Sequence, residues 1–151
     1  CSERYPLEGL TFRTGDALAL PHGNEEFDAV LNIESSHAYP STGAFLREVH
    51  RVLRPGGHLL FADLRYAKKI PQLWRDVERS GMKIIKEEDI TANVLKARDE
   101  FTRQMAEKMR SRMRWFGSFA LSWLGATDSL AYRYLQTGRF KYLFCVMRKP
   151  E

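Results

Sequence analysis

Phe27-Asp-Ala-Val-Leu-Asn-Ile33, Ser41-Thr-Gly-Ala-Phe-Leu-Arg-Glu-Val-His-Arg-Val-Leu53 and His58-Leu-Leu-Phe-Ala-Asp63 follow one another with short connections. The first and third are mostly apolar runs bounded by polar residues, the pattern of strands covered on both faces of a parallel sheet. In the second, Ser41-Thr42 can cap a helix whose Phe45, Leu46, Val49, Val52 and Leu53 share one stripe, and Pro55-Gly56-Gly57 is expected to end it. Strand, helix, strand in this order predicts parallel α/β architecture, with ligands beyond the carboxyl ends of the strands. Function is therefore sought at 32–39 and 63–66.

Toward the amino end, Leu10-Thr-Phe-Arg-Thr14 alternates apolar and polar residues and reads as a strand running into a turn at Gly15-Asp16. Toward the carboxyl end, Ile70–Arg79 reads as a helix closed near Gly81, and Met82–Glu87 as a further strand. The alternation of strand and helix then stops. From Thr91 to about Trp115 the period is helical, with Val94, Phe101, Met105, Met109 and Met113 on one face and Arg98, Arg103, Lys108, Arg110 and Arg112 mostly elsewhere. Trp115–Leu124 is an aromatic, apolar segment, Thr127–Gln136 a short helix closed by Gly138, and Phe140–Met147 a final strand. No repeat or linker divides the chain.

With 151 residues and a 44% hydrophobic fraction, the chain can furnish one core. Its net charge of +5 is uneven: residues 1–64 carry 5 basic and 9 acidic groups, residues 65–151 carry 19 and 10. Such a local excess suits nucleic acid, an anionic lipid surface or a solvated helix face. No recognition motif sharpens the first, so no nucleic-acid partner is expected, and membrane contact is expected to be peripheral at most. Nothing resembles a membrane span or a secretory leader, and a cytoplasmic protein is expected. Cys1 and Cys145 lie at opposite ends without metal or redox spacing, which predicts free thiols. His22, His50 and His58 show no ligand spacing, and no metal is expected.

Phe27–Ile33 followed by Glu48-Val-His-Arg-Val-Leu-Arg-Pro-Gly-Gly57 and Leu59–Asp63 strongly resembles the class I S-adenosylmethionine-dependent methyltransferases. Gly15-Asp-Ala17 ahead of the first buried strand extends the likeness to the branch that methylates sterols, quinones, polyketides and lipid alcohols. Asn32–Pro40 and Tyr132–Val146 look nearest to bacterial O-methyltransferases acting on phthiotriol-like lipids, fatty acids or polyketides. The resemblance implies a Rossmann-like α/β sheet of seven strands ordered 3-2-1-4-5-7-6, the last antiparallel. Of these, strands three to seven are expected here, without the first two and their glycine-rich turn. Residues 1–151 then form one partial domain: a core portion at 1–88, a helical acceptor cap at 89–138 between strands six and seven, and the final strand at 139–151.

The same resemblance implies roles for individual residues. S-adenosyl-L-methionine is the implied cofactor, with Asp16 accepting from the adenine amino group, Ala17 offering its backbone N–H to the ring, Asn32 meeting the methionine portion, and Glu34 sharing in cofactor or acceptor positioning. His37 stands just past a strand end where an acceptor would approach, and imidazole exchanges protons near neutral pH. Asp63, ending the neighbouring strand, would support it, as in natural-product O-methyltransferases with the same pair. Tyr39, Met105 and Met109 are expected to wall the pocket of a small or lipid acceptor. Two other readings stay open: a non-catalytic remnant, and an interaction or self-association module using exposed sheet edges.

Overall fold

The computed structural model describes residues 4–5, 7–112 and 130–151. Among them the chain runs through β1 (Phe27–Ile33), α1 (Thr42–Val52), β2 (Leu53–Tyr66), α2 (Ile70–Ser80), β3 (Lys83–Asp89), α3 (Thr91–Arg112), α4 (Leu130–Gln136) and β4 (Phe140–Arg148). Single helical turns at Ser36–Ala38 and Ala67–Lys69 follow β1 and β2. The strands form one mixed sheet ordered β1-β2-β4-β3. β1 and β2 are parallel, and β4 lies antiparallel between β2 and β3, as the resemblance implies for the last strand.

Side chains alternate across the sheet, as the two-residue period of a strand requires. Leu59, Phe61, Asp63, Leu143, Cys145 and Met147 share one face and are buried beneath α1 and α2, whose Phe45, Leu46, Val49, Leu73 and Val77 complete the core. Each fully buried large apolar side chain here stabilises the fold by about 1.5–3 kcal/mol relative to exposure. On the opposite face, α3 and α4 cover Ala62, Leu64 and Tyr142, while Leu31 and Ile33 of β1 remain 67% and 63% exposed. β3, with Lys83, Lys86, Glu87 and Glu88, closes one side with a charged edge strand, a composition that discourages further pairing.

Three expectations are corrected. Leu10–Thr14 forms no strand: residues 7–16 are exposed and, apart from a lone bridge between Asp16 and Ala19, irregular. Alternation makes a strand only where a neighbour supplies hydrogen bonds, and among the described residues nothing pairs with the outer edge of β1. Among the described residues the sheet thus holds four strands rather than five. Second, Pro55-Gly56-Gly57 does not end α1. The helix stops at Val52, and β2 begins at Leu53 paired with Phe27; four residues then loop out before His58 pairs with Ala29. Third, Phe101 is 57% exposed, and the partly buried stripe of α3 runs instead through Val94, Arg98, Thr102 and Met105. Residues 113–129, with Met113 and the aromatic segment Trp115–Leu124, lie outside the described residues, as does Cys1.

Glu48 and Arg51 of α1 explain the charged part of the motif that surrounds them. Arg51 grips the Glu48 carboxylate through Nε and Nη2 at 2.9 and 2.8 Å and donates to the carbonyls of His22 and Leu20. Glu48 in turn accepts the Leu20 N–H at 2.9 Å. Glu25 and Glu26 N–H groups take up the last carbonyls of α1, on Arg51 and Val52, which a helix end leaves without intrahelical partners. The pair therefore ties the loop ahead of β1 to the helix behind it.

The Arg51 guanidinium holds the Glu48 carboxyl below its usual value of 4.5, helped by the Leu20 N–H and opposed by burial. A carboxyl depressed in the folded state stabilises fully above its unfolded value, and that stability disappears as pH falls through the folded value. Glu48→Gln should therefore be less stable than the parent near neutrality, with the difference closing below about pH 4.5; urea midpoints across that range read it. At Gly57 an added Cβ would lie 2.9 Å from the Arg54 carbonyl and 3.0 Å from that of Asp28. Both are backbone atoms and cannot step aside, so Gly57→Ala should cost about 1–3 kcal/mol in the same assay.

Candidate functional site

β1 and β2 run parallel and end side by side, Ile33 opposite Ala62. The turn Ser36–Ala38 therefore lands on the end of β2, where Asp63 is fully buried. Its carboxylate gathers five donors. Oδ2 accepts from the Ser36 hydroxyl at 2.5 Å and the His37 N–H at 2.8 Å, and pairs with Arg65 at 3.3 Å. Oδ1 accepts from the Leu64 N–H at 2.8 Å and faces His37 Nδ1 at 2.6 Å. The structure thus brings the expected pair, His37 and Asp63, into contact. With Nδ1–H donating to the carboxylate, Nε2 is the ring nitrogen left to take a proton. The imidazole is 41% exposed and lines a cleft of about 390 Å³ with Tyr39, Arg65, Tyr66, Leu73 and Phe140.

Arg65 and Ser36 are buried neighbours of this pair that sequence reasoning missed. Arg65 is 7% exposed and Ser36 1%, and Arg65 Nη2 donates to the Ser36 hydroxyl that in turn donates to Asp63. Burial pushes the Arg65 guanidinium below its usual value, with Asp63 opposing the shift, and the cation sits 5.5 Å from the centre of the Phe61 ring. The available signal was an arginine two residues beyond Asp63, on the same face of a strand.

Asn32 is 4% exposed. Its Nδ2 donates to Ser35 Oγ at 2.7 Å and to the Tyr39 hydroxyl at 3.4 Å, while its buried Oδ1 has no partner. Glu34, immediately past the strand, holds a left-handed φ of 50° with its N–H on the Ala62 carbonyl. It faces Tyr142, whose hydroxyl is pushed up to about 12 by burial, by the Glu34 and Asp63 carboxylates and by a hydrogen bond to Glu34. Asp16 is exposed and accepts the Leu18 N–H at 2.9 Å; Ala17 packs against the core.

A second cavity, of about 470 Å³, lies between the sheet and helices α3 and α4, lined by Glu34, Ala62, Leu64, Ile90, Val94, Arg98, Ala131, Leu135 and Tyr142. Its α3 wall comes from the first two turns of that helix. Met105 is partly buried but does not line it, and the Met109 side chain lies outside the described residues. Leu64 borders both this cavity and the His37 cleft. Among the described residues no three His, Cys, Asp or Glu side chains cluster as metal ligands, and no helix is long and apolar enough to cross a membrane. Cys145 is a free thiol buried in mid-sheet, raised to about 12 by burial and then by Glu87.

Residues 1–61 match the family described as "Methyltransferase domain". The chain is 39% identical over 143 residues to a phthiotriol/phenolphthiotriol dimycocerosates methyltransferase of Mycobacterium leprae, covering 94% of this chain and 53% of that protein. It is also 41% identical over 100 residues to a fatty-acid O-methyltransferase of Mycolicibacterium smegmatis, covering 66% of this chain and 36% of the relative. The chain belongs to the class I S-adenosylmethionine-dependent methyltransferases. It spans about half the length of the curated relatives it matches.

Solved structures show the fold of this methyltransferase chain again. Phosphoethanolamine N-methyltransferase 2 of Haemonchus contortus, in complex with phosphomonomethylethanolamine and S-adenosylhomocysteine, superposes with a TM-score of 0.74 at 16% identity, over 90% of this chain and 36% of that one. The [4+2]-cyclase SpnF gives 0.69 at 23% identity, over 99% and 60%.

The buried network makes a stability prediction for the methyltransferase. Removing one partner of a buried ion pair leaves the other uncompensated, so Asp63→Ala should lower the unfolding free energy by about 3–5 kcal/mol. Adding Arg65→Met to it should restore part of the loss, as denaturant titration of the two variants and the parent would show.

Proposed function

We propose that this chain forms the acceptor-side half of an enzyme that transfers a methyl group from S-adenosyl-L-methionine to a hydroxyl of a lipophilic molecule, with His37 as general base. The 2.6 Å contact of His37 Nδ1 with the buried Asp63 carboxylate carries the reading. An alcohol must lose its proton as the new bond forms, and an imidazole held in one tautomer at the mouth of a cleft is suited to take it. Asp63, fixed by Ser36 and Arg65, orients the ring and offsets the charge that the imidazolium gains. The mostly apolar cavity beneath α3 and α4, next to the His37 cleft at Leu64, suits the acceptor's hydrocarbon part, with Tyr39 walling the cleft. The phthiotriol and fatty-acid methyltransferase relatives support a lipid acceptor.

Residues of this chain fit two ends of the cofactor. Asp16 retains an exposed carboxylate oxygen and Ala17 a backbone N–H for the adenine edge, and the unpartnered Asn32 Oδ1 suits an ammonium donor. An unsatisfied buried acceptor costs about 1–3 kcal/mol, so a ligand that donates there regains stability. Glu34 stands beside the same strand end. When bound, S-adenosylmethionine supplies a methyl group already activated by its sulfonium; the protein's part is alignment and proton removal.

In the protein that carries this chain, His37→Ala should lower turnover on a hydroxyl acceptor by about 10²–10⁴-fold with affinity for S-adenosylhomocysteine unchanged. A carboxylate acceptor, which has no proton to lose, should be affected far less. Equal loss of turnover and cofactor affinity would refute the base assignment.

A second reading, a binding module without turnover of its own, draws on the edge of β1 that is unpaired among the described residues and on the exposed Leu31 and Ile33. Such an edge invites pairing with further strands. Calorimetric titration of the folded chain with S-adenosylhomocysteine separates the readings, since absence of heat sinks autonomous cofactor binding.

A further inference from the structure

Where β2 ends and β4 begins, three aromatic rings form a continuous wall. Tyr66 and Phe140 meet edge-to-face with centroids 4.4 Å apart, and Phe140 and Tyr134 do so at 5.2 Å. Three cations stand on this wall: Lys68 and Lys69 lie 5.9 and 6.0 Å from the Tyr66 ring, and Arg139 lies 5.2 Å from the Tyr134 ring. Tyr66, Ala67, Lys68, Tyr134 and Arg139 enclose a cleft of about 470 Å³. Its frame is tied together by the Ala67 N–H on the Arg139 carbonyl at 2.9 Å.

These cations stand beside aromatic rings at a cleft, and, like Lys83 and Lys96, they have no ion-pairing carboxylate among the described residues. Arg148, Lys149 and Lys141 of β4 and its extension pair with Glu151, Glu25 and Asp89, and Arg65 with Asp63. α2 also starts beside Lys69 with no acidic residue in its first turn. The cations are exposed and stand beside aromatic rings, an arrangement that favours an anion bringing apolar surface with it. Tyr66 and Phe140 also line the His37 cleft, so the two clefts share a wall.

We infer that the Tyr66–Lys68–Arg139 cleft is a subsite for the oxyanion, phosphate or carboxylate, of an amphiphile whose apolar part lies along the Tyr66–Phe140 wall. It is independent of the base role of His37, because binding needs no turnover.

Dodecyl phosphate below its micellar concentration is the probe, titrated calorimetrically into the full chain, with inorganic phosphate and vesicles of phosphatidylcholine with and without phosphatidylglycerol as further arms. Lys68→Gln/Arg139→Gln should weaken dodecyl phosphate binding by about tenfold or more, the loss expected for two charge-assisted contacts. Lys83→Gln/Lys96→Gln, which removes the same charge elsewhere, should leave it unchanged, and added salt should weaken it. Melting curves matching the parent's show that both variants fold. Equal weakening in both double variants overturns the subsite, as does absence of dodecyl phosphate binding. Inorganic phosphate binding as tightly as dodecyl phosphate overturns the amphiphile. Retention on phosphatidylglycerol vesicles alone reassigns the patch to a membrane surface.

Discussion

A carboxylate removed from water must be met by donors on every side, and Asp63 is the point at which this chain meets that demand. Fully buried at the end of β2, it is approached by two backbone N–H groups, a hydroxyl, an imidazole and a guanidinium. Two of these donors come from its own strand and three from the turn after β1. The parallel pairing of β1 and β2 brings that turn within reach, and the network in return fixes how the turn leaves the sheet. The orientation of His37 is thus a by-product of solvating a buried charge with protein groups, which makes the geometry of the proposed base and local stability parts of one arrangement.

The parts of the fold visible in the sequence were those in which local pattern and tertiary surroundings agree. α1, β2, α2 and β4 each carry an apolar face that matches the layer covering it, so their periodicity was informative, whereas β1 forms but leaves Leu31 and Ile33 exposed. Leu10–Thr14 shows the opposite case, since an alternating pattern states a preference that only a neighbouring strand can satisfy. Pro55-Gly56-Gly57 was misread for a related reason. Glycine and proline mark an interruption of regular backbone, but whether they end a helix or bridge an irregular parallel register depends on what lies alongside, here Asp28 of β1.

At the site, His37 and Asp63 were identifiable because each falls just past or at the end of a buried strand, where an open α/β sheet presents its ligand groups. Ser36 and Arg65 were not, because a serine and an arginine carry no distinguishing pattern until burial makes their hydrogen bonds obligatory. The methionine stripe of α3 illustrates a different limit. Helical spacing says which residues share a face, but not how far along the helix its contact with the sheet extends. Here Ile90, Val94 and Arg98 take the place that the sequence offered to Met105.

Glu34 adopts a backbone angle that glycine takes without penalty, and a side chain with a Cβ does not. A glycine there would relax the turn, yet the chain presents a carboxylate beside Tyr142 and the cavity under α3 and α4. This position therefore works against the thermodynamic optimum of the backbone. It makes the junction between β1 and the His37 turn a place where ease of the backbone and the proposed site call for different amino acids.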